Sequence, residues 1–425
     1  MIGRSREVRG LTDTLGRVIR ELRTQDATPA NAPSRRRLAF LGVCLVLIGF
    51  NLRTAFSSFA AVLTEIRASG SVPEWAISLL TTVPVTLLGV FAPLAPVLAR
   101  RFGPKRVLLG AMAVLTLGLF IRPSEWGPAG HLPGLILGTA LCGAAIALCN
   151  VILPSEVKQD FPHRLGLMGG LYTAAIVASA AFGAGFTYPV YQATGSWNAA
   201  LLFWAFPALA VTLLFVVVAV RARPVRRAAE HGGANVWRSR TAWHVTLYML
   251  FQAMTSFSVF AWLSPILRER GIDGATAGLM VSASIVLQVL GSLFAPVLAA
   301  RFWDQRAFNV TLAVMTSLGF ALSVLGPIEL VWVWIALLGL GQGALTAAAL
   351  TLIMLRTRDA RTAVNLSGMM QGVGYGVGST GTLLVAAIHQ ATGAFTLAGY
   401  AFLAIGVGAS VFGYLSGRRR TVGED

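Results

Sequence analysis

Arg53 is the first residue of this chain that could do chemistry where chemistry is least expected. It stands in Gly49-Phe-Asn-Leu-Arg-Thr-Ala-Phe-Ser-Ser58, inside a run that is otherwise apolar. It lies fifteen residues beyond Leu38, so at ~1.5 Å per residue it sits about 22 Å along a helix, past the middle of a ~30 Å hydrocarbon core. Arginine does not give up its proton, so without an acidic neighbour its charge must be met by backbone carbonyls, water or an anion. One reading is a clamp for an anionic solute. The other is a structural arginine that snorkels outward or ties its helix to another through carbonyls. Ser57, at i+4, shares its helical face, and Asn51, at i−2, does not.

Further polar residues fall inside apolar runs at matching places in the two halves of the chain: Asn150, Tyr172, Gln252, Ser256, Gln342, Gln371 and Tyr375. Gln252 and Ser256 are four apart, as are Gln371 and Tyr375, so each pair can present two hydrogen-bonding groups to one cavity. The competing reading is polar glue between helices, at about 0.6 kcal/mol per contact. All 17 acidic residues fall in loops, tails or helix ends, with Glu65 and Glu156 nearest to a span interior. The five histidines and three cysteines form no cluster with metal-ligand spacing. No cofactor, metal or catalytic constellation is implied. Gly339-Leu-Gly-Gln-Gly343 and Gly372-Val-Gly-Tyr-Gly-Val-Gly378 lie inside spans without the strand that a phosphate-cradling loop requires, so they read as close helix packing.

These residues need membrane-spanning helices to position them. The chain is 56% hydrophobic and 12% charged, which excludes an ordinary soluble enzyme and a disordered chain. Apolar runs near 38–62, 75–99, 106–122, 132–154, 166–189 and 197–220, then 243–267, 275–299, 308–326, 330–355, 363–388 and 395–416, are each about the length of a span. The formal charge of +17 does not mark a nucleic-acid partner, because the basic residues sit in the gaps between runs. With the N-terminus inside, 29 Lys and Arg fall on the cytoplasmic side and only Arg67, Arg122, Arg268 and Arg270 on the other, so both termini are cytoplasmic. Pro84, Pro154, Pro189 and Pro265 mark kinks or helix ends. Residues 5–23 space Leu11, Leu15, Val18, Ile19 and Leu22 for a helix among arginines, either a surface helix on anionic lipid or a basic topological extension.

The sequence repeats itself. Ala95-Pro-Val-Leu-Ala-Arg-Arg-Phe-Gly-Pro-Lys-Arg106 matches Ala295-Pro-Val-Leu-Ala-Ala-Arg-Phe-Trp-Asp-Gln-Arg306 at 8 of 12 positions, and Gln192-Ala-Thr-Gly195 returns as Gln390-Ala-Thr-Gly393. Six spans per half give both halves one orientation, related by an axis along the membrane normal. The expected fold is therefore an all-α membrane protein of 12 transmembrane helices in two six-helix pseudo-symmetric bundles. Its segments are a basic N-terminal stretch at 1–37, bundles at 38–220 and 243–416, a central loop at 221–242 and a tail at 417–425. The repeated loops offer Arg100, Arg101, Arg106, Arg301, Asp304 and Arg306 as cytoplasmic gating residues.

Asn51-Leu-Arg53, Leu80-Thr-Thr-Val-Pro84, Asn150-Val-Ile-Leu-Pro154 with Lys158-Gln-Asp-Phe-Pro162, Ala261-Trp-Leu263, Gly341-Gln-Gly343 and Met370-Gln-Gly-Val-Gly-Tyr375 together resemble the major facilitator superfamily, and within it the cyanate and 2-nitroimidazole transporter family. The resemblance covers about 38–416. Arg100 stands where the superfamily usually carries an acid, Thr54 where many relatives carry proline, and Thr346-Ala347 where Phe-Pro is frequent. The resemblance implies a secondary active or facilitative transporter of the cytoplasmic membrane that works by alternating access on a small anion or strongly dipolar solute, with Arg53 beside it. The alternative is efflux of neutral nitroimidazole-like heterocycles, with Arg53 structural. The partners expected are a small-molecule solute and the lipid bilayer; no feature marks a dimer face, so a monomer is expected.

Overall fold

The computed structural model describes residues 35–220 and 235–424. The amphipathic segment 5–23 and most of the central loop therefore lie outside the described residues. Met1–Gly42 forms one unit, described only as the helical stretch 35–42, and Val43–Asp425 forms a second. All regular elements among the described residues are helical. Among the described residues ten helices are long and apolar enough to cross a membrane, and two further segments, each divided into shorter helices, complete twelve.

The first span consists of Arg35–Asn51, Thr54–Ala61 and Leu63–Ala68; the second of Glu74–Phe91 and Leu94–Phe102; the third is Pro104–Ile121, the fourth Leu132–Asp160 and the fifth Leu165–Thr194. Trp197–Leu202 and Ala205–Val220 make the sixth. In the second half the spans are Arg240–Glu269, Gly274–Arg301, Arg306–Leu325, Val331–Leu355, Ala360–Gly378 with Thr380–Thr392, and Thr396–Ser416. Pro84, Pro154, Pro189 and Pro265 all lie within helices. The interruptions fall elsewhere, at Leu52–Arg53, at Val62, at Ala92–Pro93, at Phe203–Trp204 and at Ser379.

Packing reproduces the sequence repeat. Spans 1 and 5, 2 and 4, 3 and 4, and 3 and 6 are neighbours in the first half, and 7 and 11, 8 and 10, 9 and 10, and 9 and 12 in the second. Each pair is the other shifted by six, as an axis along the membrane normal requires. The halves meet through spans 5 and 8 and through spans 2 and 11, again a symmetric set.

Small residues set these seams. A Cβ on Gly89 of span 2 would come within 2.8 Å of the Gly376 Cα of span 11, and one on Gly170 of span 5 would collide with the Leu293 carbonyl of span 8. The Gly-rich run 372–378 therefore works as a packing face, because backbones approach this closely only where no side chain intervenes. Gly170→Ala is expected to overpack the 5–8 seam and lower stability by about 1–3 kcal/mol. A thermal melt of the detergent-purified protein checks it, and an unchanged Tm would show that the seam yields.

At the cytoplasmic rim of the second half, Arg356 Nε donates to the Ser416 carbonyl at 2.8 Å and one terminal nitrogen to the Gly417 carbonyl at 2.9 Å. Val422 is buried against Val236, Ala242, Leu366 and Met369, and its N–H donates to the Arg356 carbonyl at 2.9 Å. The tail is thus folded onto spans 7, 10 and 11.

Candidate functional site

The first span breaks at the residue that carries its charge. Arg53, with φ −116° and ψ −11°, separates two helical pieces, and neighbouring side chains take up the backbone groups near the break. Asn51 Nδ2 donates to the Leu47 carbonyl at 2.8 Å, Thr54 Oγ1 to the Asn51 carbonyl at 3.1 Å and Ser57 Oγ to the Arg53 carbonyl at 3.0 Å. The Arg53 N–H donates to Ser179 Oγ of span 5 at 3.3 Å. Irregular backbone at membrane depth requires such internal partners. Asn51 and Ser57 are accordingly turned to the backbone of their own span.

The Arg53 side chain is half-buried. Its Cζ lies 5.6 Å from the centroid of the Phe260 ring of span 7, a cation–π distance. Tyr375 of span 11 is close enough to act on it electrostatically, and Tyr375 in turn on Tyr172 of span 5. Phe257 packs edge-on against Tyr375, with centroids 5.8 Å apart. Arg53 forms no ion pair among the described residues. Four spans from both halves therefore surround a guanidinium without a carboxylate.

The structure brings Arg53, Tyr172 and Tyr375 together, and it places the other amides in two separate groups. Gln252 Nε2 donates to Thr346 Oγ1 at 2.6 Å, and Thr346 Oγ1 donates to the Gln342 carbonyl at 2.8 Å, linking spans 7 and 10. Gln252 Oε1, both side-chain polar atoms of Gln342 and the Tyr172 hydroxyl are buried without a protein partner. Buried polar atoms are nearly always paired, so unmet hydrogen-bonding capacity marks a place where a polar guest or water is accommodated. Ser256 is buried one turn from Gln252 on the same helix.

Gln371 joins the halves. Its Nε2 donates to the Asn150 carbonyl of span 4 at 3.0 Å and to Ser367 Oγ at 2.9 Å. Pro154, four residues beyond Asn150, has no N–H for that carbonyl, so the proline creates the acceptor that Gln371 fills. Here Asn150 contributes its backbone to the contact.

At the cytoplasmic ends of spans 4 and 10 the two halves are joined by a residue outside the gating set expected from the sequence. Lys158, near the end of span 4, donates to the Met354 carbonyl at 2.7 Å, to Thr357 Oγ1 at 3.0 Å and to the Thr357 carbonyl. These groups end span 10, where carbonyls have no helical partner and a cation meets the negative end of the helix dipole. Thr173 Oγ1 also donates to the Ser292 carbonyl at 3.2 Å, from span 5 to span 8. Lys105 serves the first half alone, with Nζ 2.9 Å from Asp160 and 3.7 Å from the fully buried Glu156. Arg100, Arg101, Arg106 and Arg301 are exposed. Arg306 is paired with Asp304 at 3.2 Å and lies against the Tyr414 ring.

Arg122 has an inward role that its position at the outer end of span 3 conceals. Only 2% exposed, it donates to the Ala55 carbonyl and stands 4.7 Å from the Phe59 ring. It therefore holds the piece of span 1 that begins after Arg53. Arg122, Phe257, Phe260 and Ser179 carry no sequence pattern that marks them. Lys158 does, since it follows a mid-span proline in a turn of span 4 with two carboxylates.

Comparison with known proteins bears on the family and the fold. The sequence model of the Major Facilitator Superfamily matches residues 39–379. The chain is 35% identical over 355 residues to an uncharacterized transporter of Bacillus subtilis, covering 83% of this chain and 87% of that one. It is 32% identical over 390 residues to the 2-nitroimidazole transporter of Escherichia coli, covering 89% and 95%. With the cyanate transport protein of the same organism it shares 28% over 335 residues, covering 78% and 85%. Among solved structures, the proton:xylose symporter XylE superposes with a TM-score of 0.73 at 12% identity, over 91% of this chain and 98% of that one.

Proposed function

The chain belongs to the major facilitator superfamily and is a multi-pass transporter of the cytoplasmic membrane, and we propose that its solute is a small organic anion or strongly dipolar molecule held beside Arg53. The observation that carries this reading is the guanidinium at the break of span 1, which has Phe260 and Tyr375 around it and no carboxylate in ion-pair range among the described residues. In a low-dielectric site such a charge is best met by an anion.

The halves 38–220 and 243–416 rock about this site. With spans 2 and 11, 5 and 8, and Lys158 with span 10 in contact at the cytoplasmic side, the site is closed to the cytoplasm. A solute that binds here has the unpartnered hydroxyl of Tyr172 as a hydrogen-bonding group. The relatives that transport cyanate and 2-nitroimidazole bracket the range: a small anion at one end and a planar nitro-heterocycle at the other.

A second reading rests on the aromatic wall of Phe257 and Phe260, which also suits a neutral heterocycle with Arg53 as a structural group. The deciding experiment is thermal stabilisation of the purified protein by cyanate, small carboxylates and neutral nitroimidazoles. A ligand at a hundred times its Kd stabilises by about 2.7 kcal/mol. Stabilisation by the anions is expected; stabilisation by the neutral compounds alone would sink the anion reading and leave efflux of heterocycles.

A further inference from the structure

We propose that the groove on the outer face of spans 2, 3 and 4 is a binding site for one anionic phospholipid of the cytoplasmic leaflet, with its phosphate on Arg106. The groove has a volume of about 450 Å³. Phe91, Leu98 and Phe102 wall it, Gly110 and Ala145 line it, and Arg106 is its one polar lining residue. Phe102 is half-exposed and Arg106 exposed at the end where the arginine-rich loop lies. An apolar trough ending in a single cation complements an acyl chain ending in an anion.

The internal repeat supplies the comparison that makes the charge informative. Arg306 is the repeat partner of Arg106, and there Asp304 neutralises the guanidinium while Tyr414 covers it. The position equivalent to Asp304 in the first half is Pro104. Arg106 consequently forms no ion pair or hydrogen bond among the described residues. Nearby Glu156 and Asp160 are engaged by Lys105. Two copies of one loop thus differ in whether the arginine is satisfied by the protein, and only the unsatisfied copy adjoins this groove. The cytoplasmic leaflet carries anionic lipid, and each basic residue near its surface adds attraction for it.

The test is thermal stabilisation and native mass spectrometry of the full-length protein in detergent, titrated with phosphatidylglycerol, with phosphatidylcholine and with soluble glycerol phosphate. Phosphatidylglycerol is expected to bind about fivefold more tightly than phosphatidylcholine, the factor one basic residue supplies. Arg106→Gln and Pro104→Asp, which restores the acid of the other repeat, should both erase that preference, and Arg306→Gln should leave it. Gly110→Leu should lower occupancy by both lipids, because a side chain there enters open space and fills the groove without a clash at Cβ. Equal binding of the two lipids, or a preference that survives both Arg106→Gln and Pro104→Asp, would overturn the proposal. Stabilisation by glycerol phosphate alone would also overturn it, by showing a phosphate site that needs no acyl chain.

Discussion

Replacement of Arg53 by glutamine is expected to weaken binding of a small organic anion by about 30-fold or more while leaving the protein at least as stable as before. Removing one partner of a buried, hydrogen-bonded charge pair typically costs about 2–5 kcal/mol of binding. The other buried arginine of the first half, Arg122, is committed to the Ala55 carbonyl and the Phe59 ring and does not replace it. The stability half of the expectation comes from what the side chain lacks. Arg53 forms no ion pair among the described residues, so glutamine abandons no charged partner and removes a desolvated charge. A functional charge held against stability gives this signature, whereas a structural arginine gives the reverse. Arg53→Lys should fall between the two, because an ammonium keeps the charge without the planar fork. Titration calorimetry with an anion and a neutral nitro-heterocycle, beside a thermal melt, separates the cases. Unchanged anion affinity, or a large fall in Tm, would make Arg53 a structural residue.

Lys158→Met should produce the largest conformational effect. Methionine keeps the length of the side chain and deletes three donated hydrogen bonds, leaving the Met354 and Thr357 carbonyls at the end of span 10 without their cross-half donor. Hydrogen bonds to a charged group contribute about 1.5–3 kcal/mol, so the balance between closed and open cytoplasmic faces should move toward the open one by roughly 10- to 100-fold. The seams at Gly89–Gly376 and Gly170–Leu293 remain, so opening is a redistribution and not a loss of fold. Spin labels at His163→Cys and Arg361→Cys, both exposed positions on the cytoplasmic ends of the two halves, report the distance between them. The native thiols Cys44, Cys142 and Cys149 are buried. A second, longer distance in the variant is expected, with Lys158→Arg restoring the single short one. A distribution identical to wild type would show that the seams alone keep the face shut.

The fold was legible because its determinants are one-dimensional. Apolar runs of span length, an excess of arginine in alternate loops and a repeat near 200 residues are properties of the string, and the bilayer converts each directly into structure. Arg53 was visible for the same reason: a charge within an apolar run needs no neighbour to be noticed. Even so, the apolar run 38–62 predicts one continuous first span, whereas the chain breaks at Arg53, where side chains from span 1 itself and Ser179 satisfy the backbone.

The working contacts were not legible. Lys158 meets Thr357 across 199 residues and Gln371 meets Asn150 across 221, and no local pattern encodes which side chains of two helices come face to face. By sequence Arg122 falls among the outer-loop charges, yet its guanidinium turns inward to Ala55, because a terminal residue of one span lies beside the break in another only once both are packed. The sequence by itself determined the number of spans, their orientation, their pairing into repeats and the presence of one intramembrane cation. Only the tertiary structure decided which amides are spent on protein and which remain free, and which lysine bridges the cytoplasmic ends of the two halves. Hydropathy acts on each segment alone, whereas a hydrogen bond exists only between groups that packing has brought within about 3 Å of one another.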